Sequence, residues 1–268
     1  MKNFNLPLYK FHGVGNDFVL LDARNIDDSN YIKNTNKICD RHFGIGADGI
    51  IFLKNSVKDK SKFSMIYYNY DGTKADMCGN GARCICAFAN LLGIVDVSEN
   101  FIFDTDDGIH RAVIHNRRNY LWDIEISINI LSQINKINDD LFFVNTGVPH
   151  LVKFVDDIDT IDVYNEGKKY RYSTQYFEKG ININFVQYGD NIKIRTYERG
   201  VEGETQACGT GVCATAIVIN NLFNKSFPIS IHTQGGELQI NEFIENEKKI
   251  LTLRGPATLV FITDKYYL

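Results

Sequence analysis

The chain has 268 residues, of which 44% are hydrophobic, and a net charge of −4. The hydrophobic share excludes a disordered chain, and the lack of a basic excess argues against nucleic acid as the main partner. The chain shows neither a signal-peptide pattern nor an apolar run of about 18 residues, so we expect a cytoplasmic protein without membrane spans.

Two kinds of element alternate along the chain. Short runs rich in β-branched and aromatic residues predict strands. Two longer Ala-rich runs, apolar nearly all round, predict buried helices. The strands are expected at 18–22, 49–53, 63–69, 100–104, 121–128, 151–155, 184–188, 191–198, 229–233 and 250–254, the helices at 82–93 and 211–223, and a last strand within 258–268.

Three blocks recur in the same order at offsets near half the chain length. GVGNDFVLLD from Gly13 corresponds to GVPHLVKFVD from Gly147, and GIGADGIIFL from Gly44 to GININFVQYG from Gly180. The third pair is YYNYDGTKADMCGNG and TYERGVEGETQACGTG. These repeats predict a duplication into two similar domains, residues 1–118 completed by a strand at about 258–268, and residues 119–257. We place the boundary in the polar segment 115–119.

A Cys-Gly-x-Gly motif precedes each predicted buried helix, at Cys78 and at Cys208. The first N–H groups of a helix have no acceptor within the helix and carry positive partial charge, which favours a carboxylate ligand and a thiolate. Glycine lets a ligand approach these groups closely. Each motif therefore combines an anion site with an activated sulfur. The other four cysteines are expected to be small core residues, and without a CxxC pair or zinc-type spacing no metal site is expected.

Two thiols that face one carbon favour a specific reaction. A thiolate removes a proton from one face while a thiol delivers a proton to the other, which inverts the carbon. Each cysteine then acts as acid in one direction and as base in the other, and a duplication supplies the similar surroundings that this requires.

Several segments together resemble the diaminopimelate epimerase family: FHGVGNDFVLLD, DRHFGIGADGI, YYNYDGTKADMCGNGARC, TGVPH, the Asn182 region and YERGVEGETQACGTG. The resemblance implies an α+β fold of two pseudo-symmetric domains, each a curved, mostly antiparallel sheet wrapped around a buried central helix. It also implies a cofactor-independent epimerase of lysine biosynthesis that interconverts L,L- and meso-diaminopimelate, with no metal and with a homodimeric assembly.

The same resemblance assigns the site residues. Cys78 and Cys208 are the acid and base, and His150 and Glu198 tune their pKa values. The residues expected to bind the small-molecule substrate are Asn16, Asn69, Gly79, Asn80, Asn182, Glu198, Arg199, Gly209 and Thr210. Because neighbours on a regular strand point to opposite faces, the backbone near 197–200 should be irregular if both Glu198 and Arg199 bind substrate.

Three departures from the family pattern concern the distal end of the substrate. Val148 stands where many members have Asn, Gly49 where some have Gln, and RGVEGET is one residue longer than the usual segment. Two alternatives stay open. A proline- or hydroxyproline-type racemase is disfavoured by Asn80, where those enzymes typically carry His, and a thiol redox or metal-binding protein by the absence of CxxC.

Overall fold

The computed structural model describes residues 3–4, 6–75, 77–128, 133–176, 178, 180–245, 248–264 and 266–267. Asp76, two residues before the first Cys-Gly-x-Gly motif, lies outside the described residues, as do Lys265 and Leu268 of the predicted last strand.

Both buried helices and all the predicted strands are present, and further elements accompany them. The strands are β1 (Asn3–Phe4), β2 (Leu8–Gly13), β3 (Asn16–Asp22), β4 (Gly49–Lys54), β5 (Ser61–Asn69), β6 (Lys74–Ala75), β7 (Asn100–Thr105), β8 (Gly108–Arg118), β9 (Leu121–Ile128), β10 (Asn135–Lys136), β11 (Leu141–Asn145), β12 (Pro149–Phe154), β13 (Asn182–Gln187), β14 (Lys193–Glu198), β15 (Gly203–Thr205), β16 (Ile229–Thr233), β17 (Gly236–Glu245), β18 (Lys248–Thr263) and β19 (Tyr266–Tyr267). The helices are α1 (Ser29–Lys33), α2 (Thr35–Cys39), α3 (Gly79–Leu91), α4 (Val163–Arg171) and α5 (Gly209–Phe223), with a 3₁₀ turn at Ile158–Thr160.

The chain divides into two compact units, Met1–Ile126 with Gly255–Leu268 and Ser127–Arg254. The segment 115–119 forms the end of β8 and the turn into β9, where Arg118 pairs with Leu121.

The strand order inside one unit repeats inside the other. In the first unit β2–β3 is antiparallel, β3–β4 parallel, β4–β5 antiparallel, β5–β7 parallel, and β7–β8 and β8–β9 antiparallel. In the second unit β11–β12, β12–β13, β13–β14, β14–β16, β16–β17 and β17–β18 follow the same sequence of directions. This agreement confirms two repeated, mostly antiparallel α+β domains.

Each sheet curves around one buried helix. Helix α3 contacts β2, β3, β4 and β8, and α5 contacts β11, β12, β13, β16 and β17. A single helix reaches strands from across a sheet only if the sheet wraps around it. All residues of α3 from Gly79 to Ala89 are buried, as expected from its apolar sequence.

Glycines in the first helical turns bring each helix close to its sheet. A Cβ on Gly81 would lie 2.8 Å from Cδ1 of Ile51, and a Cβ on Gly211 would overlap Oδ1 of Asn184. Ile51 and Asn184 therefore occupy equivalent places. Leu20 pairs with Ile51 and Val152 with Asn184, so two residues earlier Phe18 is the structural counterpart of His150.

The outer faces of the parallel strand pairs are covered by helices that the sequence pattern did not predict. In the first unit α1 and α2 supply Tyr31 and Ile38 to a core cluster with β3 and β4. In the second unit α4 supplies Val163 to a cluster with Ile183 and Tyr197. Burial on both faces explains the continuous apolar runs of these strands.

Gly167→Ala is expected to lower the free energy of unfolding by about 1–3 kcal/mol, because a Cβ on Gly167 would overlap Cβ of buried Tyr197. The clash should outweigh the gain of about 1 kcal/mol that alanine gives a helix. Gly189→Ala is the control, since a Cβ there meets nothing within 4 Å. Urea unfolding measures both variants, and a Gly167→Ala protein as stable as the wild type would contradict the packing described.

Candidate active site

Each motif cysteine is the N-cap of its buried helix. Cys78 and Cys208 have extended backbones, with φ of −134° and −113°, and their carbonyl oxygens accept the first helical hydrogen bonds, from Ala82 and Val212. Each sulfur therefore lies beside the first N–H groups of a helix, where the helix field stabilises negative charge. Cys208 is buried and Cys78 half-buried.

The other cysteines differ in their surroundings. Cys39, Cys84, Cys86 and Cys213 are buried in the cores, and all six cysteines of the chain are free thiols. Burial raises the pKa of Cys39 to about 12 and raises those of Cys84 and Cys86 further. The thiols of Cys39, Cys84 and Cys86 therefore stay protonated at neutral pH.

Asn16 connects the first helix start to the sheet. Its Oδ1 lies 3.6 Å from Sγ of Cys78 and accepts a hydrogen bond of 3.2 Å from Nδ2 of Asn80. The guanidinium of Arg83, which is fully buried, donates to Oδ1 of Asn80 at 2.8 Å and to the carbonyl of Gly79 at 3.2 Å. The contacts among these residues bring four predicted site residues together.

The side-chain amide of Asn16 is hydrogen-bonded to a network of ion pairs. Nδ2 of Asn16 donates to Asp48 at 2.6 Å, and Arg41 bridges Asp48 and Asp17 at 2.6 and 2.8 Å. Lys10 adds an ion pair of 2.6 Å to Asp17. Burial by itself would raise the pKa of Asp17, but hydrogen bonds from Arg41 and Lys10 lower it to about 2. Burial and the charge of Asp17 raise the pKa of Asp48.

Asn69 belongs to the same edge of the first sheet. It ends β5 and pairs with Gly49, which itself pairs with Phe18 two residues after Asn16. Its Nδ2 donates to the hydroxyl of Thr73 at 3.1 Å. The described contacts do not link Asn69 directly to Cys78, so it belongs to the site by its strand register alone.

A buried histidine marks the second helix start. Nε2 of His150 lies 3.0 Å from Oγ1 of Thr210, and that oxygen lies 3.5 Å from Sγ of Cys208. Nδ1 of His150 lies 3.1 Å from Nδ2 of Asn184. Burial, with a smaller contribution from the charge of Arg199, lowers the pKa of His150 to about 3, so the imidazole is neutral at physiological pH.

The remaining predicted residues line the same edge of the second sheet. Asn182 pairs with His150 across β12 and β13, and its Oδ1 accepts the backbone N–H of Arg199 at 2.8 Å. Glu198 is the last residue of β14, and its carboxylate accepts the hydroxyl of Thr205 at 2.9 Å. A turn begins at Arg199 and continues through Gly200, whose φ is +91°. This turn frees Arg199 from the strict alternation of the strand.

Other polar residues at these helix starts were not singled out from the sequence: Lys10, Arg41, Asp48, Arg83, Thr146, Asn184 and Thr196. Asn184 had a recognisable signal, because it alternates with Asn182 on one face of an otherwise apolar strand. Arg83 had none, since it lies within an apolar helix. Thr146 donates to the carbonyl of Thr210 at 3.0 Å.

Two negative findings apply to the part of the chain that the structure describes. No helix there is long and apolar enough to cross a membrane. No cluster of three or more His, Cys, Asp or Glu side chains there is arranged to hold a metal ion.

Comparisons with known proteins give consistent results. The family model "Diaminopimelate epimerase" matches residues 8–123 and 142–260. A diaminopimelate epimerase from Flavobacterium psychrophilum is 44% identical, over 96% of this chain and 99% of its own length.

Solved structures share the fold at low sequence identity. A phenazine biosynthesis protein of the PhzF family from Bacillus anthracis has a TM-score of 0.76 at 14% identity, with both chains fully covered. A probable proline racemase from Agrobacterium radiobacter with bound carbonate has a TM-score of 0.69 at 14% identity, over 96% of this chain and 92% of its own. At this identity the likeness shows the fold alone.

The neutral, buried state of His150 predicts a pH effect on stability. An unfolded histidine titrates near pH 6.5 and the native one near 3, so between these values the unfolded chain binds one proton more. Stability is therefore lost as the pH falls below about 6, by about 1.4 kcal/mol per pH unit from this group. In His150→Gln, the free energy of unfolding should depend less steeply on pH, because this contribution is lost.

Urea unfolding of the wild type and of His150→Gln at intervals from pH 8 to 4 tests this expectation. Above pH 7 the slopes of the two proteins should coincide, which serves as the internal control. Equal slopes between pH 6 and 4 would show that His150 is not held neutral by the fold.

Proposed function

The chain belongs to the diaminopimelate epimerase family, and we propose that it interconverts L,L- and meso-diaminopimelate with Cys78 and Cys208 as the acid and base. The observation that carries the proposal is the matched position of the two cysteines. Each is the N-cap of the buried helix in one of two units with the same strand order.

The α-carboxylate of the substrate binds the helix N-termini. Backbone N–H groups at Gly79 and Asn80, and at Gly209 and Thr210, lie in first helical turns, where a carboxylate is a favourable ligand. The buried guanidinium of Arg83 adds positive charge beside the first of these turns. Negative charge that develops on the carboxylate in the transition state is stabilised there.

The reaction removes a proton from one face of the α-carbon and adds a different proton to the opposite face. One cysteine, as thiolate, takes the α-proton and becomes a thiol, while the other thiol gives its proton to the opposite face and becomes a thiolate. The configuration at the carbon is inverted, and the reverse reaction uses each sulfur in the other role. This chemistry needs both sulfurs close to neutral pKa, which helix N-termini favour.

The distal amino-acid group of the substrate distinguishes this reaction from racemisation of proline. We assign its carboxylate to the guanidinium of Arg199, which can bind in a bidentate manner, and its ammonium to the carboxylate of Glu198. Asn16 and Asn69, at strand ends of the first unit, and Asn182, at the start of β13 in the second unit, supply amide contacts. Val148, in the turn before β12, replaces an amide with an apolar side chain, so this chain makes one distal contact fewer than many relatives.

Cys78→Ala and Cys208→Ala should each lower the rate of epimerisation by at least about 10³-fold, because each removes an acid or base from the reaction. The assay follows incorporation of deuterium from solvent at the α-carbon of diaminopimelate by NMR. Cys213→Ala, a buried cysteine on the same helix as Cys208, is the matched control and should retain activity within a few fold. Failure of the wild type to exchange the α-hydrogen would refute the reaction class.

Arg199→Lys should lower kcat/KM for diaminopimelate by about 10–100-fold, mainly through KM, because an ammonium loses the bidentate hydrogen bonds to a carboxylate. Arg195→Lys is the control. Arg195 lies within β14 and is paired with Glu204 at 2.6 Å. Steady-state kinetics of both variants decide the assignment, and equal effects of the two substitutions would argue against distal binding by Arg199.

A further inference from the structure

The amide of Asn184 has a fixed orientation. Its Nδ2 lies 2.8 Å from the carbonyl oxygen of Leu151, which only accepts hydrogen bonds. Its Oδ1 accepts the hydroxyl of Thr196 at 3.0 Å. Asn184 is fully buried, so turning the amide over would set two acceptors against each other at Leu151. The second hydrogen of Nδ2 therefore points towards Nδ1 of His150.

This orientation determines the tautomer of His150. Nδ1 accepts from Asn184 at 3.1 Å, so in the neutral ring the proton is on Nε2. Nε2 then donates to Oγ1 of Thr210 at 3.0 Å. Because that oxygen accepts from the imidazole, its own proton is available to Sγ of Cys208 at 3.5 Å. Asn184, His150 and Thr210 thus donate in sequence, and the last hydrogen bond is donated to Sγ of Cys208. A sulfur that accepts a hydrogen bond is stabilised in the thiolate form.

The contact at Cys78 has the opposite direction. Nδ2 of Asn16 donates to the carboxylate of Asp48 at 2.6 Å, which fixes this amide as well. Its Oδ1 accepts from Asn80 and faces Sγ of Cys78 at 3.6 Å. An amide oxygen only accepts, so this contact is favourable when the sulfur keeps its proton and repulsive when it is a thiolate.

The two units carry different residues at the positions that set the hydrogen-bond directions at Cys208 and Cys78. Phe18 and Ile51 in the first unit are the structural counterparts of His150 and Asn184 in the second. Phenylalanine and isoleucine side chains can neither donate nor accept a hydrogen bond, so these two positions supply no such donor chain to Cys78. Charged groups near these contacts include Arg199 and Glu198 in the second unit. In the first unit they include Arg83 and Asp48, which is paired with Arg41.

From these directions we propose that in the substrate-free enzyme Cys208 holds the thiolate and Cys78 the thiol, with Asn184 and His150 as positioning residues that act through Thr210. The proton states are argued from the hydrogen bonds described above, and their meaning as resting base and resting acid rests on the proposed function. A substrate epimer whose α-proton faces Cys208 then loses this proton to Cys208 and gains a proton from Cys78, so the negative charge passes from Cys208 to Cys78.

The test measures the ionisation of each thiol separately. The reduced wild-type protein, without substrate, is treated with iodoacetamide at intervals from pH 5 to 10, and peptide mass spectrometry gives the alkylation rate of each cysteine. The pH midpoint of each rate profile reports ionisation independently of access, which matters because Cys208 is the less exposed sulfur. We expect a lower midpoint for Cys208 than for Cys78. Equal midpoints, or the reverse order, would overturn the proposal.

Single-thiol proteins remove the coupling between the two sulfurs. The midpoint of Cys208 is measured in Cys78→Ala and that of Cys78 in Cys208→Ala, since two interacting groups otherwise titrate as a pair. The same order is expected. A reversed or abolished order in these variants would mean that the asymmetry arises from the pair, which contradicts an origin in the local hydrogen bonds.

Thr210→Val tests the relay itself. Valine has nearly the shape of threonine but no hydroxyl, so the midpoint of Cys208 should rise by about one pH unit, the effect of losing one hydrogen bond to a charged group. Thr210→Ser keeps the hydroxyl and should restore most of the shift. The midpoint of Cys78 should be the same in both variants. An unchanged Cys208 midpoint in Thr210→Val would refute the relay.

The tautomer of His150 gives a readout that a purely structural role would not produce. Two-dimensional ¹⁵N–¹H NMR of the imidazoles should show His150 with the proton on Nε2, assigned by the signal that disappears in His150→Gln; a proton on Nδ1 overturns the proposal. Neither measurement uses substrate. If the thiol order holds but diaminopimelate is not turned over, the proposed function fails alone; if turnover holds and the order does not, this inference fails alone.

Discussion

The close seating of each buried helix against its sheet determines the rest of the site. Gly81 and Gly211 have no Cβ, so Ile51 and Asn184 can pack directly against the first helical turn. The seating places each N-cap cysteine at the ends of the strands that carry the polar site residues. A Cβ at Gly211 would overlap the amide of Asn184, and a Cβ at Gly81 would require the end of the Ile51 side chain to shift.

Duplication supplies two similar helix starts, and divergence inside them supplies two different proton environments. The first unit holds its amide with an ion-pair network that ends in Asp48, and the second uses the neutral, buried His150. A reversible inversion needs two sulfurs that can each act as acid and base. The proposed resting state, with the thiolate at Cys208, follows from the fixed directions of the amides of Asn16 and Asn184.

Much of this site could be predicted from the sequence because its signals are local. A Cys-Gly-x-Gly motif followed by an apolar run predicts a helix start that combines an anion site with an activated sulfur, and the two runs correspond to α3 and α5. The outer helices α1, α2 and α4 were not predicted, since they are short and polar and depend on packing against β3, β4, β13 and β14. The three sequence blocks align Asn16 with His150, whereas the strand registers make Phe18 the counterpart of His150.

The sequence by itself indicated the duplication and the two Cys-Gly-x-Gly helix starts through its repeats and hydrophobic pattern, and its resemblance to the diaminopimelate epimerases indicated the family and its fold. Only the tertiary structure decided which polar groups meet and in which direction each hydrogen bond runs. Asn184 shows why: its donor faces His150 only because Leu151, 33 positions away, presents a carbonyl oxygen to the same amide. Such directions depend on strand register and burial, which a single sequence does not contain.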